Sequence, residues 1–431
     1  MPHDAPPRLL VSQWMTDDLE RRKGLYRDLF AGRPMERLPV EVRVTVPSPH
    51  SMRAQFQDGD KQLEAALANA VASWQHAPSS DAIPAMRPDV GCSCLATAFG
   101  AEYYWGDTPN QTPGIREKIL GQEPRHQALR GQAPPGLDGL ADQVAALAVP
   151  DPYRDGWLPE GLRRIRQFAE AGEGLIPVSL LDAAGGVNVA ADLLGMTELM
   201  LAFYEQPEPL HALLGKIQDL FAATIRAGVG AAGGEANITT TDFEDVWYPE
   251  GWKGHASDDI SAGFGPNIYA EFSAPYHARI FREFGAGGLH NCGPNPCHAA
   301  YVAHPVSPRS LDLSDAYSHD DLPKFKQSLR HKAFVHLFYC GGVEPVEWYR
   351  EIMELLAPDV IVVPVFHVSP QGDPEALIRA LHPIAIEYAR RMDWGWDAPA
   401  ASAGLGISAA GVAQAAQPAP PLRSGTAKGG N

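Results

Sequence analysis

The chain lacks the features that mark nucleic-acid-binding, membrane-spanning and secreted proteins. It has 35 basic against 52 acidic residues, and the net charge of −17 argues against nucleic acid or an anionic membrane surface as a partner. No apolar run is long enough to span a bilayer. The opening residues, MPHDAPPRLL, lack the basic and apolar regions of a signal peptide. The sequence therefore predicts a globular protein of the cytoplasm.

Cysteine is also scarce in this chain. The five cysteines are Cys92, Cys94, Cys292, Cys297 and Cys340. A few cysteines, odd in number and without a signal peptide, are expected to remain reduced thiols. Their role is therefore expected to be metal binding or packing, and a framework of disulfides is not expected.

Aromatic residues are absent from the segment 397–431, which is rich in Ala, Gly and Pro. Such a composition cannot bury a core, so a disordered tail is predicted there. At the other end, helical spacing of apolar residues predicts a helical extension over residues 1–30. Residues 31–396 are predicted to form one domain, with an insertion at about 100–160 where periodicity is weak.

Eight segments with strand character alternate mostly with helical segments along the predicted domain. They begin at Leu38 and Ile83 and continue with 175–181, 236–242, 287–292, 310–314, 333–339 and 359–365. Such alternation implies parallel pairing, and eight units favour an α/β fold of the closed (β/α)8 TIM-barrel type. An open doubly wound sheet would need a glycine-rich phosphate turn after the first strand, and the sequence has none there.

One pair of residues carries most of the chemical signal. His290 and Cys292 lie two residues apart at the end of the segment GGLHNC, so on a strand their side chains would share one face. An imidazole beside a thiolate suits a borderline-soft metal, zinc above all. Two polar groups at a buried strand end need a partner, which favours metal binding over plain packing.

Other polar residues follow the remaining predicted strands, and in a barrel they would share one mouth with this pair. They are Asp242, Glu244, Asp258, Asp259, Asp312, Asp315, Cys340 and His367. Plainer interpretations stand beside this one. Asp258 and Asp259 could be solvated loop charges, and Cys340 could be a small core residue.

Several stretches together resemble the uroporphyrinogen decarboxylase superfamily. The longest is DDISAGFGPNIYAEFSAPYHARIFREFGAGGLHNCG, residues 258–293, which ends in an H-x-C-G sequence. The others are AGRPMERLPV at 31–40, GVNVAADLLGMTELMLAFYEQPEPLHALLGKI at 186–217 and GGVEPVEWY at 341–349. They are most similar to the branch of zinc- and cobalamin-linked methyltransferases. The family fold is a (β/α)8 barrel, in agreement with the strand count.

The resemblance implies a particular set of metal ligands. In that branch, a cysteine after the last strand completes the H-x-C pair. The matching segment here, VFHVSPQGDPEAL, has His367 in that place. Zinc is therefore expected at His290, Cys292 and His367, with Cys340 as the alternative third ligand.

The expected activity is that of a zinc-dependent methyltransferase that activates a thiol or an alcohol. The resemblance implies a corrinoid carried by a partner protein, and a homodimer. Asp258 or Asp259 would orient the site or serve as a fourth ligand, while Asp242 and Asp312 would accept or relay a proton. Uroporphyrinogen decarboxylation itself is not expected, because the arginine cluster of that branch is reduced here to Arg43.

Two alternatives remain open at the level of the sequence. One is a metal-dependent lyase or hydrolase that acts on a small organic substrate without a corrinoid. The other is a non-catalytic barrel with a structural zinc. A fourth metal position open to water or substrate would favour an enzyme, whereas closure by Cys340 or a carboxylate would favour a structural site.

Overall fold

A computed structural model describes residues 12–120, 137–243 and 246–396 of the chain. Its strands are β1 (Glu41–Val44), β2 (Tyr103–Tyr104), β3 (Gly114–Ile115), β4 (His255–Ser257), β5 (Gly288–Asn291), β6 (Ser310–Ser314), β7 (Phe334–Phe338) and β8 (Val362–Val368). Six of them form a parallel sheet in the order β1–β8–β7–β6–β5–β4, and β2 pairs with β3 in a separate antiparallel sheet. The fold is therefore mixed α/β around a central parallel sheet.

Helices connect and cover the strands. Within the described ranges they are α1 (Gln13–Phe30), α2 (Met52–Gln57), α3 (Gly59–His76), α4 (Cys94–Ala98), α5 (Leu140–Ala146), α6 (Leu158–Ala171), α7 (Gly186–Leu194), α8 (Met196–Glu205), α9 (Pro207–Ala231), α10 (Pro266–Phe272), α11 (Ala274–Phe284), α12 (His298–Tyr301), α13 (Asp315–Ser318), α14 (Leu322–Ser328), α15 (Pro345–Leu356) and α16 (Pro374–Arg391). Local sequence explains several starts. Helix α16, for example, begins at Pro374 after Asp373, whose carboxylate accepts the amide of Ala376.

The helices can be compared with the length and hydropathy of a membrane span. Among the residues that the structure describes, no single helix has the length and hydropathy of a membrane span. Only α7 and α8 taken together pass that test, and they meet at an angle of 110°.

The parallel register places the carboxyl ends of the six strands at one edge of the sheet. It also aligns His290 of β5 with Asp312 of β6 and with His336 of β7. Register partners in a parallel pair point to the same face. One face of the sheet is therefore rich in imidazoles and carboxylates. The loops that follow the strands begin at the edge formed by the strands' carboxyl ends.

Backbone contacts continue beyond the β4 edge of the sheet. The amide of Thr241 donates to the carbonyl of Lys253 at 2.9 Å, immediately before β4. Isolated parallel bridges then join Ile238 to Val178, and Val178 to Met86. These bridged segments extend the sheet into a barrel-like α/β arrangement.

The structure corrects part of the predicted strand assignment. The segment 236–242, predicted as a strand, contributes only the bridge at Ile238, and the predicted segments at Ile83 and 175–181 likewise contribute single bridges at Met86 and Val178. Strand β4 was not predicted, because its sequence, HAS, has no apolar alternation. By contrast, β6 coincides with the predicted segment 310–314.

The predicted N-terminal extension contains α1, which packs against the amino-terminal ends of the strands. The ring of Phe30 lies 4.9 Å from that of Tyr248 and 5.1 Å from that of Phe334, the first residue of β7. Residues 1–11, the predicted tail 397–431 and residues 121–136 of the predicted insertion lie outside the described residues. The proposed domain boundaries remain predictions.

Candidate metal centre

Three ligand-type side chains meet where β4 and β5 end. Asp259 follows β4, His290 lies on β5, and Cys292 follows β5 directly. Each offers one ligand atom, and the three atoms lie within 4.8 Å of one another. Within residues 12–120, 137–243 and 246–396, no second group of this kind is present. We call these three residues the donor triad.

Both carboxylate oxygens of Asp259 accept hydrogen bonds that hold the side chain in place. Its Oδ1 accepts the amide of Cys292 at 2.9 Å and lies 3.7 Å from Nε2 of His290. Its Oδ2 accepts the hydroxyl of Ser257 at 2.9 Å and the side-chain amide of Asn188 at 3.3 Å. The carboxylate is therefore oriented toward the other two donors without needing an ion to place it.

The charge state of Asp259 also suits metal binding. Burial acts to raise its pKa, but His290 and the hydrogen bonds from Cys292 and Ser257 outweigh burial and hold the pKa below its usual value. Asp259 is thus a carboxylate across the neutral range, as a metal ligand must be.

The donor triad is reachable from solvent. The side chain of His290 is 15% exposed and that of Asp259 is 35% exposed, while Cys292 is exposed. A protein that contributes three ligands from one side leaves a fourth zinc position on the open side. The triad therefore has the form of a catalytic site more than that of a closed structural site.

The imidazole of His290 packs against an aromatic ring, and a guanidinium lies over that ring. The ring of Phe243 meets it edge to face, at 5.0 Å between centroids and 85° between planes. The guanidinium of Arg87 lies over the same phenyl ring, 4.6 Å from its centroid. Arg87 in turn donates to Oδ2 of Asp182 at 3.0 Å.

Asp182 is one carboxyl of this region that can change protonation near neutral pH. Burial raises its pKa to about 8, the Arg87 guanidinium opposes that rise, and the charge of Asp242 adds to it. A carboxyl with such a pKa, 13% exposed at the end of a bridged segment, is a candidate proton acceptor or donor.

A second histidine and carboxylate cluster lies deeper, on the face of the sheet. Asp312 sits at its centre, with Oδ2 2.7 Å from Nε2 of His255 and Oδ1 3.0 Å from Nδ1 of His336. Tyr248 donates its hydroxyl to the same carboxylate at 2.7 Å. Asp312 and both histidines are fully buried.

Two further carboxylates end this buried cluster. Oδ2 of Asp242 lies 3.7 Å from Nδ1 of His255, and Oε1 of Glu41 lies 3.8 Å from Nε2 of His336. We call the five residues Glu41, His336, Asp312, His255 and Asp242 the interior row. All five are at most 1% exposed.

One histidine of the interior row, His255, keeps its proton at neutral pH. Burial lowers the pKa of His255, but Asp242 and Asp312 overcome burial and raise it to about 9. Burial likewise opposes ionisation of Asp312, yet hydrogen bonds from His255 and His336 hold its pKa well below the usual value. The row therefore contains a buried ion pair between the protonated His255 and the ionised Asp312.

Not every residue predicted for the site belongs to the donor triad. Asp242 and Asp312 lie in the interior row. Asp258 turns toward α11, where its Oδ2 is 3.6 Å from Nε2 of His277, and burial raises its pKa to about 7. Asp315 contacts His319 at 3.1 Å, and Glu244 lies outside the described residues.

The two remaining predicted ligands face other neighbours. His367 lies on β8, in register with Arg43 of β1, and its ring stacks on Phe338 at 6.2 Å. The thiol of Cys340 lies 3.3 Å from the hydroxyl of Ser314. In the sheet, β6 and β7 separate β8 from β5. Neither residue is part of the donor triad, and their roles as ligands remain predictions.

Sequence reasoning missed several residues of this region. They are Arg87, Asp182, Phe243, His255 and His336. One of them carried a usable signal, because His336 sits between Phe334 and Phe338 at the two-residue spacing that places all three on one face of β7. The others come from segments without clear periodicity.

Comparison with known proteins finds similarity in structure but not in sequence. No protein-family model matches the chain, and no curated protein matches it by sequence. A methyltransferase from Methanosarcina mazei superposes with a TM-score of 0.60 at 16% sequence identity, covering 84% of this chain and 98% of the other. At this identity the likeness establishes a shared fold.

Proposed function

We propose that the chain is a zinc-dependent methyltransferase, with the donor triad as its metal site. The observation that carries the proposal is the meeting of Asp259, His290 and Cys292 within 4.8 Å where two neighbouring strands end. The fold shared with a methyltransferase supports the reaction class. The resemblance to the uroporphyrinogen decarboxylase superfamily points in the same direction.

The donors fit zinc by their chemistry. A nitrogen, a sulfur and a carboxylate oxygen are the three ligand types that zinc takes in proteins, and three protein ligands are typical of catalytic sites. When bound there, zinc would lower the pKa of a thiol or an alcohol and so favour the nucleophilic anion.

The protein's own groups supply the remaining functions. Ser257 and Asn188 fix the Asp259 carboxylate, so the site is organised in advance. Asp182, with its pKa near 8, is the group that we propose takes up the proton of the thiol or alcohol. Asp182 would then take the role that was expected of Asp242 and Asp312, which are enclosed in the interior row.

The barrel is proposed to be closed, as the superfamily resemblance implies. Support comes from the parallel bridges that link Met86, Val178 and Ile238 between the two outer strands of the sheet. A corrinoid on a partner protein and a homodimer are proposed on the resemblance alone.

A second candidate function is a metal-dependent hydrolase or lyase that needs no corrinoid. The donor set favours it in one respect, because its third donor is the carboxylate of Asp259, whereas the methyltransferase branch completes its H-x-C pair with a second sulfur. One sulfur in place of two leaves zinc a stronger Lewis acid, which suits activation of water.

Metal analysis and a methyl-transfer assay separate these functions. We expect about one zinc per chain in the wild type, retained in Cys92→Ser as a matched exposed thiol and lost in Cys292→Ser. Methyl transfer from methylcobalamin to a panel of thiols and alcohols is expected from the zinc-loaded protein. Zinc binding without methyl transfer, together with hydrolysis of a small ester or amide, would favour the second candidate.

A further inference from the structure

Phe243 occupies a junction between three side chains that the sequence keeps far apart. Its face carries the guanidinium of Arg87 at 4.6 Å. Its ring meets the imidazole of His290 at 5.0 Å and that of His255 at 6.3 Å, both nearly perpendicular. The phenyl ring thus packs against one imidazole of the donor triad and one of the interior row.

The ring is itself held in position. Arg87, which lies over it, is held by a hydrogen bond of 3.0 Å from its guanidinium to Asp182. His255 is fixed on the other side by its 2.7 Å contact with Asp312. A phenyl ring fixed in this way offers His290 a rigid surface, and an edge-to-face contact has a preferred geometry that packing alone lacks.

The plane of the His290 ring matters for the site. Its Nε2 is the atom that lies 3.7 Å from the Asp259 carboxylate. Rotation of the imidazole would carry that nitrogen away from the other donors. Contacts that fix the ring orientation of a ligating histidine raise metal affinity, and such outer contacts are usually polar.

We propose that Phe243 and Arg87 are positioning residues for His290, acting as an aromatic support that sets the plane of its imidazole. The orientation itself is independent of any metal, whereas its consequence for zinc affinity rests on the proposed function. Removing the phenyl face is expected to free the imidazole, and removing the guanidinium is expected to loosen the phenyl ring.

The first test observes His290 in the metal-free protein. Histidine-selective labelling gives imidazole signals, and His290→Gln identifies the one that belongs to His290. We expect that signal to shift in Phe243→Leu and in Arg87→Met. Arg116→Met is the matched control, because Arg116 also lies over an aromatic ring, that of Tyr104, elsewhere in the fold. An unchanged His290 signal in both test variants would overturn the proposal.

The second test measures zinc affinity by competition with a chromophoric chelator. Phe243→Leu is expected to weaken binding about 10- to 100-fold, in the range seen for loss of outer contacts. Phe243→Tyr, which keeps the aromatic face, and Arg116→Met are expected to bind as the wild type does. Equal affinity of Phe243→Leu and wild type would contradict the proposal. If the wild type binds no zinc, the proposed function fails, and the imidazole signals alone decide the positioning role.

Discussion

The donor triad and the interior row both combine histidine with carboxylate, but in different surroundings. In the interior row, Asp312 contacts His255 and His336 directly, and every member is buried. In the donor triad, an exposed thiol replaces one such partner and the side chains reach solvent. The surroundings of each histidine make the difference. His255 and His336 are enclosed with carboxylates as counterions, whereas His290 has the exposed Cys292 and the partly exposed Asp259 beside it.

The largest expected effect falls on the interior row. Asp312→Asn removes the charge that faces two buried imidazoles and should lower the free energy of unfolding by about 3–5 kcal/mol, the usual result of breaking a buried ion pair. Urea denaturation measures it. Asp315→Asn, near the end of the same strand, is the control and should change stability little. A loss as small as that of the control would show that the row is not a charge network.

The next effect is a pH dependence confined to the same row. The folded pKa of His255 is about 9 against about 6.5 when unfolded, so its proton stabilises the fold below pH 6.5 and this contribution is lost as pH rises through 9. The stability advantage of wild type over His255→Gln should shrink by about 3 kcal/mol between pH 6.5 and 9. The groups facing His255 are Asp312, Asp242 and Tyr248. Denaturation curves that stay equally far apart at both pH values would contradict the assignment.

The donor triad should respond in zinc affinity and not in stability. Asp259→Asn is expected to weaken zinc binding at least about 10- to 100-fold, the range known for outer contacts of metal ligands. Asp258→Asn is a close control, because the neighbouring carboxylate turns to His277. Chelator competition on both variants gives the comparison. Equal affinities would remove Asp259 from the ligand set.

The smallest effect is expected at the ligand that the family resemblance implies. His367 stacks on Phe338 and lies on β8, with two strands between it and β5. His367→Ala should therefore leave zinc affinity close to that of the wild type. A collapse of affinity in this variant would instead make His367 the third ligand, as its place in the sequence implies, and would leave Asp259 as an orienting group.

What could be predicted from the sequence was local. The two-residue spacing of His290 and Cys292 places both in the donor triad, and the alternation of 310–314 matches β6. Asp259 could not be told from Asp258, because the difference between them is the direction of a side chain in a short 3-10 segment.

Other features depended on distant parts of the chain. The segment at Ile83 does not pair with β1 as a regular strand, because the amides of Val42 and Val44 are taken by the hydroxyls of Ser80 and Ser73. Side chains that satisfy a strand edge leave no donors for a neighbouring strand. The support behind His290 joins residues from separate segments, and no spacing rule connects them.

X-ray absorption at the zinc edge of the zinc-loaded protein would identify the ligand atoms. We expect one sulfur at about 2.3 Å, together with nitrogen and oxygen ligands at about 2.0–2.2 Å, and loss of the sulfur signal in Cys292→Ser. Two or more sulfur ligands, or an unchanged spectrum in Cys292→Ser, would show that zinc is not held by Asp259, His290 and Cys292.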